Sequence, residues 1–364
     1  MSKVRARGED VRKFILTNVE KHPSDITKLT AAHFEVTRQA VNKHLQNLVS
    51  EGVLLESGNT RNRAYTLCAL NSWAHTFLKT DGLAEDVVWR DHILPEIGRL
   101  PENVLAIWRY GFTEIFNNAL DHSEGTQIAV WVRKTAAFTD ITITDNGIGI
   151  FKKIQSAMGL LDERHAILEL SKGKLTTDPS NHSGEGIFFS SRMFDQFSIA
   201  SGGVIFAHQF DDDEDWIMQP DDSLAGTTVF MKLDNHTART EKEVFDQFTS
   251  GENYGFTKTV VPVQLAQYEN DKLVSRSQAK RLLARVELFK TVIFDFASIS
   301  SIGQAFADEI FRVFASRHPE IEIIEVHTSP EVKKMIGRAR SGLTTGSAVP
   351  GQGSPSSDNE QDIS

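Results

Sequence analysis

The chain has 364 residues, 40% hydrophobic and 24% charged, proportions of a folded protein with room for two or three domains. A formal net charge of -10 argues against a protein that coats nucleic acid with its whole surface. The single cysteine, Cys68, excludes a disulfide framework and fits a reducing cytoplasm, and the basic start MSKVRARGEDVRKFIL has no apolar run long enough for a signal peptide or a membrane span.

The charge is unevenly spread. Residues 1–63 hold eleven Lys/Arg against seven Asp/Glu, so a basic amino-terminal module precedes an acidic body. DITKLTAAHFEVTRQAVNKHLQNLVSEGVL reads as two helices separated by a tight turn at Glu35-Val36-Thr37, with Thr37 as N-cap of the second. That helix buries Val41, Leu45, Leu48 and Val49 and turns Arg38, Gln39, Asn42 and Lys43 outward. Such side chains near a helix start pair with base edges and phosphates in the major groove. VLLESGNTRNRAYTL follows as a β-hairpin with Arg61 and Arg63 near its tip. Residues 8–68 resemble a winged helix-turn-helix domain. The resemblance implies duplex DNA as partner; winged helices also serve as protein-docking modules.

Residues 71–98 are expected to be a helical connector. After it, FTEIFNNALDHS carries an apolar stripe, Phe112, Ile115, Phe116, Ala119 and Leu120, as one buried helix face does. Glu114, Asn118 and His122 stack at intervals of four along the polar side, beside a second amide, Asn117. QIAVWVRK and FTDITITDNG alternate at period two, as half-buried strands do, and the second breaks at Asp145-Asn146-Gly147. SNHSGEGIFFSSRMF sets Gly184 and Gly186 before an apolar helical run, an arrangement that turns backbone N–H groups toward an anion. LAGTTVFMKL opens a last β-run at Gly226-Thr227.

In this order the four pieces resemble the boxes of the Bergerat-fold ATPases, the GHKL superfamily of histidine kinases, gyrase and anti-sigma serine kinases. EIFNNA is similar to the N box, DNGIG to the G1 box, GEGI to the G2 box and GTT to the last nucleotide-site element, over about residues 100–235. The resemblance implies ATP and Mg²⁺ as cofactors. It gives Asn118 the Mg²⁺, Glu114 the role of base toward the γ-phosphate, Asp145 the adenine amine, and Gly147 and Gly149 close passage of the backbone. Gly184 and Gly186 would wrap the phosphates and Thr227 would hold the adenine side. LSKGKLTTDPSNH would form a lid, with Lys172, Lys174 and His182 as candidates to touch the γ-phosphate. Phe188 and Phe189 stand where many members continue the G2 box with another glycine. His92, in WRDHILPEIG, is the only candidate for a phospho-accepting histidine. Its proline follows too soon for the usual box and its flanks lack the heptads of a dimerising hairpin, so it reads as an ordinary helix residue.

Residues 239–262 are expected to be a linker. KTVIFDFAS, GQAFADEIFRVFASRH and EIEIIEVHT then read strand, helix, strand. Residues 263–335 resemble STAS domains, whose anti-anti-sigma members take phosphate on a serine at the helix start. Here that turn reads Gly303-Gln304-Ala305, without a hydroxyl, and Ser300 and Ser301 lie upstream of it. The end of the chain, rich in Gly, Ser and Pro without apolar period, reads as disordered.

The expected architecture is therefore an α/β multidomain chain. It comprises a winged helix-turn-helix over 1–70, a connector over 71–98, a Bergerat α/β sandwich over 99–238, a linker over 239–262, a STAS-like domain over 263–341 and a tail over 342–364. Three functional readings follow: a cytoplasmic DNA-binding regulator controlled by ATP with a STAS-like domain docking a protein partner, a partner-switching serine or histidine kinase, and a DNA-acting ATPase gated by homodimerisation. None involves a membrane.

Overall fold

A computed structural model describes residues 3–59, 62–175, 184–210, 216–219, 223–250, 255–267 and 272–344. It is a mixed α/β chain. The amino-terminal part comprises α1 (Lys3–Asn18), α2 (Ile26–Phe34), α3 (Arg38–Ser50) and a hairpin of β1 (Leu54–Ser57) with β2 (Ala64–Leu67). Its turn works as the sequence anticipates: Glu35 adopts a left-handed conformation, and Thr37 Oγ1 accepts from the Ala40 N–H at 3.3 Å to cap α3. Val41, Leu45 and Leu48 close a small core of their own with Ile15, Val19 and Tyr65, while Val49 is only half-buried.

The stretch expected as a helical connector opens instead with a strand, β3 (Asn71–Leu78), before the short helices α4 (Glu85–Val88) and α5 (Leu94–Ile97), joined by a π-helical segment, Trp89–Ile93. The long helix α6 (Glu102–His122) follows, then β4 (Gln127–Lys134) and β5 (Phe138–Asp145). Next come α7 (Ile150–Met158), α8 (Glu163–Lys172), α9 (Gly186–Met193), β6 (Gln196–Gly202), β7 (Val204–Gln209), β8 (Trp216–Met218) and β9 (Leu224–Asp234). The strands form one antiparallel sheet in the order β3-β4-β5-β9-β6-β7-β8. Alternation decides its two faces. Val130, Ile141, Ile143, Val229 and Met231 are buried beneath the helices, whereas Trp131, on the other face, is 46% exposed. The sheet touches the amino-terminal part where Lys232 pairs with Glu20 at 2.5 Å.

The expected linker is structured too. It holds α10 (Glu241–Phe248), a two-residue pairing of β10 (Thr249–Ser250) with β11 (Gly255–Phe256), and β12 (Lys258–Pro262). The remaining elements are α11 (Arg276–Leu283), β13 (Thr291–Asp295), α12 (Gln304–Asp308), α13 (Ala315–Arg317), β14 (Glu322–Val326) and α14 (Pro330–Thr344). A π-helical segment, Glu309–Phe314, joins α12 to α13. Strands β12, β13 and β14 run parallel with helical crossovers between them, so Val292 and Phe294 are fully buried. One apolar core is continuous through both sheets. Among the described residues no helix is long and apolar enough to cross a membrane.

Candidate functional site

Helix α6 buries Trp108, Phe112, Phe116 and Ala119 and leaves Glu114, Asn117 and Asn118 half-buried along a cavity of about 380 Å³. Its carboxyl end is closed by lysines from outside the helix. Lys79 Nζ donates to the Ala119 carbonyl at 3.1 Å and Lys153 Nζ to the His122 carbonyl at 2.8 Å, cations where the helix dipole is negative. Lys153 lines the cavity, and the sequence reading missed it: Lys152-Lys153 on an amphipathic helix has the appearance of a solvated pair.

The strand-end residues meet α6 at its last turn. Asp145 ends β5 in register with Thr227 of β9, and it is 6% exposed. Its Oδ1 accepts from the Gly147 N–H at 2.8 Å. Burial pushes its carboxyl above the usual carboxylate range, against hydrogen bonds from Gly147 and Thr227 that pull it back. Thr227 Oγ1 accepts from the Ile150 N–H at 3.0 Å, tying β9 to the start of α7. Gly226 has φ +72°, and a β-carbon there would run into the Asp145 carbonyl oxygen, so the two strands meet at backbone contact only with glycine.

Near Glu114 the cavity is bounded by α9. Gly186 is its first residue, and a side chain on it would overlap the Glu114 carboxylate. Gly184 accepts at its carbonyl from the Leu175 N–H at 3.0 Å, and both line the cavity. Phe188 and Phe189, in place of a further glycine, are buried against Phe245, Phe248 and Phe256; Phe188 also lines the cavity. Burial raises the carboxyl of Glu185, with Lys174 nearby opposing it. The Tyr110 phenol is pushed up by burial and by the facing carboxylates of Glu114, Glu185 and Glu241.

Glu114, Asn118, Asp145, Gly184, Gly186 and Thr227 thus share one cavity. Gly147 and Gly149 do not line it themselves but adjoin residues that do: the Gly147 N–H donates to Asp145, and Gly149 precedes Ile150 at the first turn of α7. Lys174 does not line it. Its Nζ donates to the Leu288 carbonyl at 2.9 Å and lies over the rings of Phe289 and Phe256. Lys172 is fully buried and points away as well. His182 and most of the expected lid lie outside the described residues. Asn117 lines the wall as well. Ser123 lies nine positions after Glu114, and its carbonyl accepts from the N–H of Ile148, three residues after Asp145, at 2.9 Å. At 1.5 Å of rise per residue Glu114 and Ser123 lie roughly 13 Å apart along the axis of α6. Apolar Ile115, Ile143, Ile154 and Val229 line the wall with them. Among the described residues no group of three or more His, Cys, Asp or Glu is arranged to hold a metal ion.

On α3, Arg38, Gln39 and Lys43 are exposed together. Asn42 is half-buried, its Oδ1 accepting from Thr27 Oγ1 at 3.4 Å. Arg63 pairs with Glu56 across the hairpin at 3.1 Å, and Arg61 lies outside the described residues. His92 sits in the π-helical segment with its ring stacked on His75 at 5.8 Å.

With both sheets in place, one comparison bears on the carboxy-terminal part. Residues 278–333 match the family model described as STAS-like domain of unknown function (DUF4325). The match runs from within α11 into α14 and takes in β13 and β14 of the parallel sheet. No curated protein matches the chain. In the STAS-like domain the helix start carries no hydroxyl: Gly303 precedes α12, and a β-carbon there would press on Val274.

Proposed function

We propose that this chain is an ATP-binding, DNA-binding regulator, in which a nucleotide held in the α6 cavity sets the state of the amino-terminal part and of a STAS-like domain that docks a protein partner. The observation that carries the reading is the gathering of Glu114, Asn118, Asp145, Gly184, Gly186 and Thr227 on one cavity. A buried carboxylate suits a base amine, the apolar wall suits the faces of a base, and a helix start with glycines at and just before it suits phosphates. Asn118, half-buried on the same wall, offers a hard oxygen to Mg²⁺, which would take its other ligands from phosphate and water. When bound, Mg²⁺ neutralises phosphate charge. The glycine at 186 fits this use, since any larger residue would press on the Glu114 carboxylate.

Calorimetric titration of the whole chain with ATP tests the reading. Binding is expected with Mg²⁺ and to be markedly weaker in EDTA, and Asn118→Ala should lose most of that difference. Equal affinity with and without Mg²⁺ in both proteins would remove Asn118 from the metal role, and no binding at all would end the nucleotide reading.

For DNA, the exposed trio Arg38, Gln39 and Lys43 supports contact by α3. Affinity of the full chain for duplex should fall steeply with salt, because Lys and Arg contacts release counterions. Lys43→Ala should lower the slope of log affinity against log salt by about 1. A variant with an unaltered slope would take Lys43 off the phosphate backbone.

A further inference from the structure

At the junction between α8 and the STAS-like domain, two cations each close the helix end belonging to the other. Lys172, the last residue of α8, donates from Nζ to the carbonyls of Arg281 (3.2 Å) and Ala284 (2.8 Å), which end α11, and to Glu169 Oε1 at 2.7 Å. Arg285, just past α11, reaches back. One guanidinium nitrogen bonds Glu169 Oε2 at 3.0 Å, and the other bonds the Gly173 carbonyl at 3.0 Å and the Lys174 carbonyl. Thr259 Oγ1 donates to the Lys172 carbonyl at 2.7 Å. The carbonyls that end α8 therefore find their donors in the carboxy-terminal part of the chain, and Glu169 bridges the two cations.

This arrangement is a poor source of stability and a good source of geometry. Lys172 is fully buried and Glu169 nearly so, and taking such charges out of water offsets most of their attraction. Buried forks of this kind hold angle and register. What they hold is the wall of the cavity. Leu170 of α8 lines it, the chain passes from Lys174 directly into Leu175, which also lines it, and Leu175 is bonded to Gly184 opposite.

We infer that Glu169, Lys172 and Arg285 are positioning residues for the α6 cavity, through which the STAS-like domain holds the wall made by Leu170, Leu175 and Gly184, so that a ligand in the cavity and the state of that domain are energetically coupled. The identity of the ligand rests on the nucleotide reading. Coupling of this kind is reciprocal: the domain sets nucleotide affinity, and nucleotide stabilises the domain's docked edge.

Two variants of the full chain test it. Arg285→Lys keeps a charge for Glu169 and loses the fork that reaches Gly173 and Lys174. A triple replacement, Glu169→Leu with Lys172→Met and Arg285→Met, removes all three charges together while keeping side-chain volume, an exchange that buried ion triads often tolerate. It also takes these donors from the carbonyls of Arg281, Ala284, Gly173 and Lys174. Each is compared with the parent by circular dichroism, by titration with Mg·ATP and by hydrogen exchange of residues 281–290. In the parent, Mg·ATP should slow exchange in that segment. In folded variants affinity should fall about fivefold or more, the lower end of typical coupling, and the nucleotide-dependent protection should vanish. Parent-like affinity and protection in both variants overturn the inference and leave the nucleotide reading standing. A parent that binds no nucleotide overturns both.

Discussion

Asp145→Asn is expected to lower the affinity for Mg·ATP by roughly tenfold or more while leaving the fold as stable as before or more so. The affinity loss follows from removing a charged acceptor, worth about 1.5–3 kcal/mol in a buried hydrogen bond. The stability side has a definite sign. Burial holds the Asp145 carboxyl above its usual range, so its ionised form is disfavoured in the folded chain, and the stability it contributes at low pH is lost as pH rises through that raised value. A neutral amide escapes that loss and still accepts from the Gly147 N–H. At neutral pH the variant should therefore unfold at an equal or higher temperature, the pattern of a group kept for function at the expense of stability. Thermal unfolding and calorimetry on the same samples read both halves. Wild-type affinity in the folded variant removes Asp145 from the binding site, and a large drop in unfolding temperature reassigns it to structure.

Much of the local fold, including the elements that frame the α6 cavity, was legible because its signals are local. The stripe of α6, the period-two strands β4 and β5, and the Thr37 cap each depend on residues a few positions apart. The strand β3 was missed although Trp73, His75 and Phe77 alternate. At the edge of the sheet it pairs with one neighbour only and buries little beyond Phe77, so its pattern is faint. Helix α10 had a legible start, since Thr240 and Glu243 form a capping box, and reading 239–262 as a linker passed over it. Lys172 and Lys174 could not be placed from sequence at all. A lysine beside glycine at a helix end has the appearance of a solvated or phosphate-binding group, and what buries Lys172 is a set of carbonyls more than a hundred residues away. Such non-local partners leave no mark on the residues around them.

On the nucleotide reading proposed above, Glu114 is the base toward the terminal phosphate, and Glu114→Gln should reduce ATP hydrolysis about a hundredfold or more while binding survives. The estimate is the low end for losing a positioned general base. Its position motivates the role: half-buried on α6, one helical turn before Asn118, with the first residue of α9 so close that only glycine fits against it. On that reading a carboxylate held there would accept a proton from a water whose oxygen bonds to the terminal phosphorus as the P–O bond to the nucleoside diphosphate breaks, releasing free phosphate. Glutamine preserves the shape and the contact with Gly186 but cannot take the proton, so the affinity for Mg·ATP should change little. If the phosphate were passed to protein instead, label would accumulate on the chain or a partner; Gly303-Gln304-Ala305 offers no hydroxyl at the start of α12, so the STAS-like domain should stay unlabelled there. Radiolabelled γ-phosphate, followed both as free phosphate and as protein label, separates these outcomes. Hydrolysis undiminished in Glu114→Gln with binding intact takes the base role away from this residue, and stable label on residues 263–335 turns the chain from a regulator into a self-modifying kinase.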